Sequence, residues 1–199
     1  MGASHDDLYD ATYYARQEEA MHISSRCIAD SIAERMPEVQ TVIDIGCGSG
    51  SILDALRGHG LSGRGLDYSD AALAICRDKG LDVLKFDLES GAPPPGLEAD
   101  LALSTEVAEH LPAEIADPYV DFLTAISDTV IITSATPGQG GTDHVNEQPN
   151  RYWIEKFVDR GFGHDAGETE DWRVDWKGRG VDRARAKNVM IFRRKDALI

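Results

Sequence analysis

Residues 41–56 read TVIDIGCGSGSILDAL, and this stretch decides the fold class. Thr41 to Ile45 form a short, apolar and β-branched run of the kind that favours a buried strand. The glycines that follow predict a tight turn, because glycine tolerates positive φ and lets another group approach the backbone closely. Ile52, Leu53 and Leu56 then return at helical spacing, which indicates a strand, a turn and a helix in succession.

The same unit recurs along the chain, which predicts a doubly wound α/β fold on a largely parallel sheet. Further strands are predicted at Gly63 to Leu66, Asp82 to Phe86, Leu101 to Ser104, Val130 to Ser134 and Asn188 to Phe192. Helices are predicted between Tyr13 and Met36, from Ala71 to Arg77, from about Glu106, and from Arg151 to Arg160. The segment from Glu168 to Arg185 mixes tryptophans with many charges, and its pattern indicates no definite element.

Length and charge restrict the class of protein. A chain of 199 residues suits a single domain with one site. The formal net charge of -15 argues against a general affinity for nucleic acid or anionic lipid. The acidic N-terminus and the absence of a long apolar stretch predict a cytoplasmic protein without membrane association. The three cysteines form no CxxC pair, so neither a disulfide framework nor a zinc knuckle is expected.

The glycine turn has the pattern DxGxGxG, formed by Asp44, Gly46, Gly48 and Gly50. It differs from the GxGxxG of dinucleotide-binding proteins, because Ser51 stands where the third glycine would be. This spacing disfavours a nicotinamide dinucleotide, which is the alternative ligand.

Two acidic residues follow the next two predicted strands. Asp67 ends one of them, where a carboxylate can accept hydrogen bonds from both hydroxyls of a ribose. Asp87 follows the other, within reach of an adenine amino group. Open α/β sheets bind ligands at the carboxyl ends of their strands, so the turn and both acids are expected to face one crevice that holds a nucleoside.

Four segments resemble the successive motifs of the class I methyltransferases that depend on S-adenosyl-L-methionine (SAM). They are VIDIGCGSG at 42–50, GLDYS at 65–69, KFDLE at 85–89 and LALSTEVAEHLP at 101–112. The resemblance implies a Rossmann-like fold with a seven-stranded sheet whose last strand is antiparallel, and Lys187 to Arg193 is the candidate for that strand. It also implies a single domain with leading helices at 1–40, a cofactor-binding half at 41–135 and an acceptor-side half at 136–199.

The resemblance further implies which residues bind the cofactor SAM. Those expected around its methionine part are Asp44, Gly46, Cys47, Gly48 and Gly50. Those expected around its ribose and adenine are Asp67, Tyr68, Asp87 and Leu88, and Thr105 completes the cofactor-binding set.

The chemistry of methyl transfer requires a well-positioned acceptor, and an oxygen acceptor also benefits from loss of its proton. Glu106, Glu109 and His110 follow the fourth strand at helical spacing, which predicts one shared helix face at the rim of the crevice. His144 lies in the polar stretch GGTDHVNEQPNRYW, which is expected to fold over the same crevice. His110 or His144 is therefore the predicted catalytic base.

The same residues also suggest a metal site. Glu106, Glu109, His110 and His144 are similar to the metal ligands of the small-RNA methyltransferases that modify a terminal 2'-hydroxyl, which implies Mg²⁺ or Mn²⁺ as an optional cofactor. The chain is acidic and shows no added RNA-binding domain, so an RNA acceptor is the less favoured alternative. The stretch HVNEQPNRYWIEKFVDRGF instead resembles short bacterial methyltransferases, many of which have no assigned substrate.

The resulting prediction is an O-methyltransferase for a small hydroxylated metabolite or saccharide. The alternatives are a metal-dependent RNA 2'-O-methyltransferase and a noncatalytic SAM-binding module. Aromatic residues are expected either to line the acceptor pocket or to pack in the core: Tyr13, Tyr14, Tyr152, Trp153, Trp172 and Trp176. A basic group is expected either to meet an anionic acceptor or to form a solvated face: Arg173, Lys177, Arg179, Arg183 and Arg185.

Overall fold

One mixed sheet organises the computed structural model, which describes residues 11–89 and 92–195. Its seven strands are β1 Thr41–Ile45, β2 Ser62–Asp67, β3 Asp82–Lys85, β4 Leu101–Thr105, β5 Thr129–Thr133, β6 Phe162–His164 and β7 Met190–Arg194. Their order across the sheet is β3-β2-β1-β4-β5-β7-β6. The strands β1 to β5 pair in parallel, and β7 runs antiparallel to both of its neighbours. The predicted seven-stranded, doubly wound fold with an antiparallel last strand is confirmed.

Helices cover both faces of this sheet. They are α1 Ala11–Arg35, α2 Ser51–Gly58, α3 Asp70–Asp78, α4 Ala116–Ile126, α5 Asn150–Val158, α6 Ala166–Arg179 and α7 Arg183–Asn188. Successive residues of β1 point to opposite faces, so Val42 packs with α1 and α6 while Ile43 packs with α4 and α5. Both faces are thus apolar, as is usual for parallel sheets. No helix within the described ranges has both the length and the apolar character needed to cross a membrane.

The prediction of a helix from about Glu106 is wrong. β4 ends at Thr105, and Glu106 has a left-handed backbone with φ of 57°. Short 3₁₀ turns follow at Ala108–His110 and Ala113–Ile115, before α4 begins. A left-handed residue cannot continue a right-handed helix, and Pro112 restricts the residue before it, so the α-helix starts later. The expected shared helix face of Glu106, Glu109 and His110 therefore does not form.

The C-terminal part contains elements that the sequence pattern did not predict. The unassigned segment forms α6 and α7, and the short strand β6 precedes them. Trp172 and Trp176 lie four residues apart on α6 and are fully buried, as is Trp153 on α5. These three tryptophans pack in the core, which is the alternative stated for them. The side chains of Tyr13 and Tyr14 lie outside the described residues.

Candidate functional site

The glycine turn after β1 is held by backbone and carboxylate contacts to the end of β2. The amides of Gly46 and Cys47 donate to the Leu66 carbonyl at 2.8 and 3.1 Å. The Gly48 amide donates to Oδ2 of Asp67 at 2.8 Å, and the Ser69 amide donates to Oδ1 of the same carboxylate at 2.9 Å. Asp67 therefore stabilises the turn as well as facing the crevice.

Two of the three glycines have a steric role at this turn. Gly46 has φ of 72°, and a Cβ there would lie 2.3 Å from Cγ2 of Val107. Gly50 has φ of 74°, and its Cβ would lie 2.5 Å from Leu81 Cδ1 and 2.9 Å from Cys76 Sγ. Gly46 lines the cleft, whereas Gly50 packs toward Cys76 on α3 and is not among the cleft-lining residues.

The two buried acids of the site differ in their surroundings. Burial and, to a lesser extent, the nearby Asp67 raise the pKa of Asp44 to about 7, and the positive charge of Arg185 opposes both. Burial also raises the pKa of Asp67, and the amides of Ser69 and Gly48 counteract this by stabilising the carboxylate. A positive charge nearby would stabilise the ionised form of such a desolvated carboxylate, so this part of the cleft favours a cationic ligand group.

One cleft of about 580 Å³ opens along the carboxyl ends of β1 to β4. Nine of the ten predicted cofactor residues line it, the exception being Gly50: Asp44, Gly46, Cys47, Gly48, Asp67, Tyr68, Asp87, Leu88 and Thr105. Asp87 is exposed, and its Oδ1 accepts from the Glu89 amide at 2.9 Å. His110 and His144 line the same cleft, as does Glu106. The structure thus brings the glycine turn, both predicted acids and both histidines to one cavity.

Each histidine is oriented by an oxygen acceptor at its Nδ1. His110 Nδ1 lies 3.1 Å from the Asp143 carbonyl, and His144 Nδ1 lies 2.9 Å from Oε1 of Glu147. A proton on Nδ1 in both contacts leaves the lone pair of each neutral ring on Nε2. The two rings meet edge to face with centroids 5.0 Å apart.

Glu147 connects this pair to its loop. Its carboxylate accepts from the amides of Gly138 at 2.8 Å and Gly140 at 2.7 Å, in addition to the ring of His144. The hydrogen bond from His144 lowers the pKa of Glu147, and the two amides act in the same direction. Glu147 is therefore ionised at neutral pH and fixes both the loop and the imidazole.

Glu109 lies fully buried below the histidines. Its Oε1 accepts from the Ala135 amide at 3.2 Å, while its Oε2 has no hydrogen-bond partner. Burial, reinforced by the neighbouring Glu106, raises the pKa of Glu109 to about 7. The Glu109 carbonyl accepts from the amides of Val145 at 2.9 Å and Asn146 at 3.0 Å, which ties the loop of His144 to this point.

Three of the four predicted metal ligands form a cluster. One ligand atom from each of Glu109, His110 and His144 lies within 4.8 Å of the others. Glu106 lies outside this cluster, because its amide and its carboxylate are both hydrogen-bonded to the Thr133 hydroxyl at 2.9 and 2.8 Å.

Backbone strain marks the same region. Among the described residues, Glu106 and Asp143 are the non-glycine positions with positive φ, at 57° and 62°. Such conformations cost roughly 1–3 kcal/mol each and concentrate at functional sites. Glu106 borders the cleft, and Asp143 supplies the carbonyl that orients His110.

The sequence pattern did not indicate several residues of the site. Ser25 on α1 and Arg185 on α7 reach the cleft from the two ends of the chain, and Glu147 supports His144. Arg185 belongs to the basic group predicted from the sequence, and two other members of that group are engaged elsewhere: Arg179 pairs with Glu34 and Asp175, and Arg173 pairs with Glu170. The sequence does show Glu147 three residues after His144, but this spacing indicates no contact by itself. The fold of the loop brings the carboxylate of Glu147 to the His144 ring.

Comparisons with known proteins agree with this architecture. The family model "Methionine biosynthesis protein MetW" matches residues 26–100, which is less than half of the chain. A segment of 71 residues is 33% identical to dTDP-4-amino-2,3,4,6-tetradeoxy-D-glucose N,N-dimethyltransferase of Saccharopolyspora spinosa, covering 36% of this chain and 28% of that protein. A segment of 79 residues is 33% identical to the ubiquinone biosynthesis O-methyltransferase of Nitrosomonas europaea, covering 37% of this chain and 34% of that protein. The chain thus matches only about a third of the length of either relative.

The whole fold has a solved counterpart. Magnesium protoporphyrin IX methyltransferase from Synechocystis, a structure with bound SAM, superimposes with a TM-score of 0.67 at 16% identity and covers 96% of this chain and 95% of that one. At this level of identity the likeness concerns the fold, and that fold is the one implied by the four sequence motifs. This chain therefore has the Rossmann-like fold of the class I SAM-dependent methyltransferases.

Proposed function

We propose that this chain transfers a methyl group from SAM to a hydroxyl group of a small-molecule acceptor. The observation that carries the proposal is the single cleft, which contains the glycine turn and acids suited to a nucleoside together with two histidines suited to a hydroxyl. The partial relatives methylate an amino sugar nitrogen and a ubiquinone precursor oxygen by their names, so both acceptor atoms occur among similar proteins.

The residues of the turn fit SAM as the cofactor. Gly46 and Gly48 have positive φ, and both line the cleft with backbone that carries no Cβ. Asp67 presents the remaining lone pairs of its carboxylate to a ribose, and Asp44 presents a carboxylate to an ammonium group. When bound, SAM supplies a methyl group on a sulfonium, which a nucleophile can attack without further activation of the donor.

The histidines supply what a hydroxyl acceptor needs. With Nδ1 directed at an oxygen, the neutral ring of His110 or His144 accepts a proton at Nε2, and Glu147 stabilises the imidazolium that forms at His144. An amine acceptor would bring its own lone pair once neutral, so it would depend less on this base. Dependence of turnover on the histidines therefore favours a hydroxyl acceptor.

A second candidate role for the same cluster is binding of a divalent cation, and the fully buried, unpartnered Oε2 of Glu109 supports it. Two imidazoles and one carboxylate suit Mn²⁺ or Zn²⁺ better than Mg²⁺, which prefers oxygen ligands. The carboxylate–histidine contact of Glu147 is also the usual outer support of a metal-binding imidazole. In this role the ion would hold the acceptor hydroxyl and promote its ionisation.

Isothermal titration calorimetry and a turnover assay test the proposal. We expect the purified chain to bind S-adenosylhomocysteine, the demethylated product of SAM, and to methylate hydroxylated sugars or quinols from a panel that includes amines and short RNA. The variants His110→Ala and His144→Ala should lower turnover by about 10²- to 10⁴-fold, the usual contribution of a general base. His59→Ala is the matched control, because His59 contacts Asp30 and does not line the cleft.

The outcomes separate the candidates. No binding of S-adenosylhomocysteine by the wild type would refute the methyltransferase proposal. Binding without turnover on any acceptor, with both histidines replaceable, would leave a noncatalytic SAM-binding module. Loss of turnover with a chelator and recovery with Mn²⁺ would assign the histidines to the metal, whereas turnover that is insensitive to chelator would assign them to proton transfer.

A further inference from the structure

Arg185 on α7 supplies the cleft with a permanent positive charge. Among the described residues that line the cavity, it is the only arginine or lysine, and its neighbours in the lining include Asp44 and Ser25. The side chain is only 17% exposed. This arginine is therefore largely shielded from bulk solvent and lines the cavity.

One nitrogen of the Arg185 guanidinium has a hydrogen-bond acceptor, and another has none. Nη1 donates to Oδ2 of Asp182 at 2.9 Å. Asp182 in turn caps α7, because its Oδ1 accepts from the amides of Ala184 and Arg185, and its own amide donates to the Ser24 hydroxyl on α1. The Nε of Arg185 is buried and has no hydrogen-bond partner. Buried donors are nearly always satisfied in folded proteins, so this one indicates a missing acceptor.

The chemistry of the cavity indicates what that acceptor is. The other charged side chains near Arg185 in the lining are acidic, and a lone arginine among acids does not suit a second cation. Asp44 is close enough for the charge of Arg185 to lower its pKa. The lining of the cleft therefore contains the carboxylate of Asp44 and the guanidinium of Arg185, which together match a zwitterion with one ammonium and one carboxylate group.

We propose that Arg185 binds the α-carboxylate of the methionine part of SAM, beside Asp44 as the acceptor of its α-ammonium. The inference rests on the proposed function, since it assigns a residue to the same cofactor. Guanidinium groups pair with carboxylates through parallel N–H donors, and Nε is one of the donors available for that pairing. The residue comes from the helix before the last strand, so the C-terminal part of the chain completes the cofactor site that its N-terminal half begins.

Calorimetry with three ligands tests this assignment on the folded, full-length chain. S-adenosylhomocysteine carries the α-carboxylate, decarboxylated SAM lacks only that group among the amino-acid charges, and 5'-methylthioadenosine lacks the whole amino-acid part. We expect Arg185→Ala to lower the affinity for S-adenosylhomocysteine by about 10- to 100-fold, which is the range expected for loss of a hydrogen-bonded charge pair. Its affinities for decarboxylated SAM and 5'-methylthioadenosine should stay within about twofold of the wild type.

A control variant keeps the result specific, and a melting curve of each variant checks that it is folded. Arg183→Ala removes an exposed arginine from the same helix and should change none of the three affinities. Equal losses for all three ligands in Arg185→Ala would overturn the assignment, because they would indicate a distorted cleft. Unchanged binding of S-adenosylhomocysteine would also overturn it, and a raised KM for the acceptor would then place Arg185 at the acceptor. Failure of the wild type to bind any of the ligands would instead refute the proposed function itself.

Discussion

The turn at Gly46 offers a sharp test of the structure through the variant Gly46→Ala. An alanine there must adopt φ of 72° and place its Cβ 2.3 Å from Cγ2 of Val107. The left-handed backbone costs an L-residue roughly 1–2 kcal/mol, and an added methyl group in a packed site costs roughly 1–3 kcal/mol. Val107 is β-branched and cannot easily rotate away. We therefore expect a loss of about 2–5 kcal/mol in the free energy of unfolding.

Urea denaturation followed by circular dichroism measures this loss. Gly60→Ala is the matched control, since Gly60 has φ of 82° but open space where the Cβ would lie, so only the backbone strain remains. The double variant Gly46→Ala with Val107→Ala removes the overlapping methyl group and should recover about 1–3 kcal/mol of coupling free energy. For a chain of this size, each kcal/mol shifts the melting temperature by roughly 2–4 °C.

Two results would refute the reasoning on Gly46. One is a Gly46→Ala variant that is no less stable than Gly60→Ala, which would mean that the turn yields without strain. The other is strict additivity in the double variant, which would mean that Val107 does not contact the turn in solution.

Further predictions concern charge in the same cleft. Glu147→Gln removes the carboxylate that joins His144 to the amides of Gly138 and Gly140, and should lower turnover by about 10- to 100-fold with unchanged binding of S-adenosylhomocysteine; equal turnover would contradict it. Asp44 has its pKa raised from 3.8 to about 7, so its contribution to stability is present below pH 4 and is lost as the pH rises through 7. Asp44→Asn should therefore be more stable than wild type at pH 8, by at most about 4 kcal/mol, and should lose that advantage at pH 4; equal denaturation midpoints at pH 8 would refute it.

Local patterns account for the parts of the fold that the sequence predicted. The strands β1 to β5 were predicted because each is a short apolar run next to a turn or a helix signal, and burial on both faces keeps such runs nearly continuous. The short strand β6 has only three residues with Gly163 in its centre, which leaves no periodicity to detect. Helix α6 carries so many charges that its buried tryptophans, four residues apart, did not stand out.

The site was predictable only where a motif is local. Asp44, Asp67 and Asp87 follow strands, so the topology of a parallel sheet is enough to bring them to one edge. The carboxylate and the amide of Glu106 are held by the Thr133 hydroxyl, which is 27 residues away in the chain. Arg185 depends on the docking of α7 against α1 through Asp182 and Ser24, separated by 158 residues. Contacts of this range leave no trace in local spacing.

The hydrogen bonds of Asp67 have a consequence for the kinetics with which a nucleoside would bind in the cleft. The carboxylate already accepts hydrogen bonds from the amides of Gly48 and Ser69, so this part of the cofactor site is formed before a ligand binds. Ligand binding should therefore cost little conformational entropy of the chain. We expect one-step binding kinetics, in which the observed association rate constant rises linearly with ligand concentration.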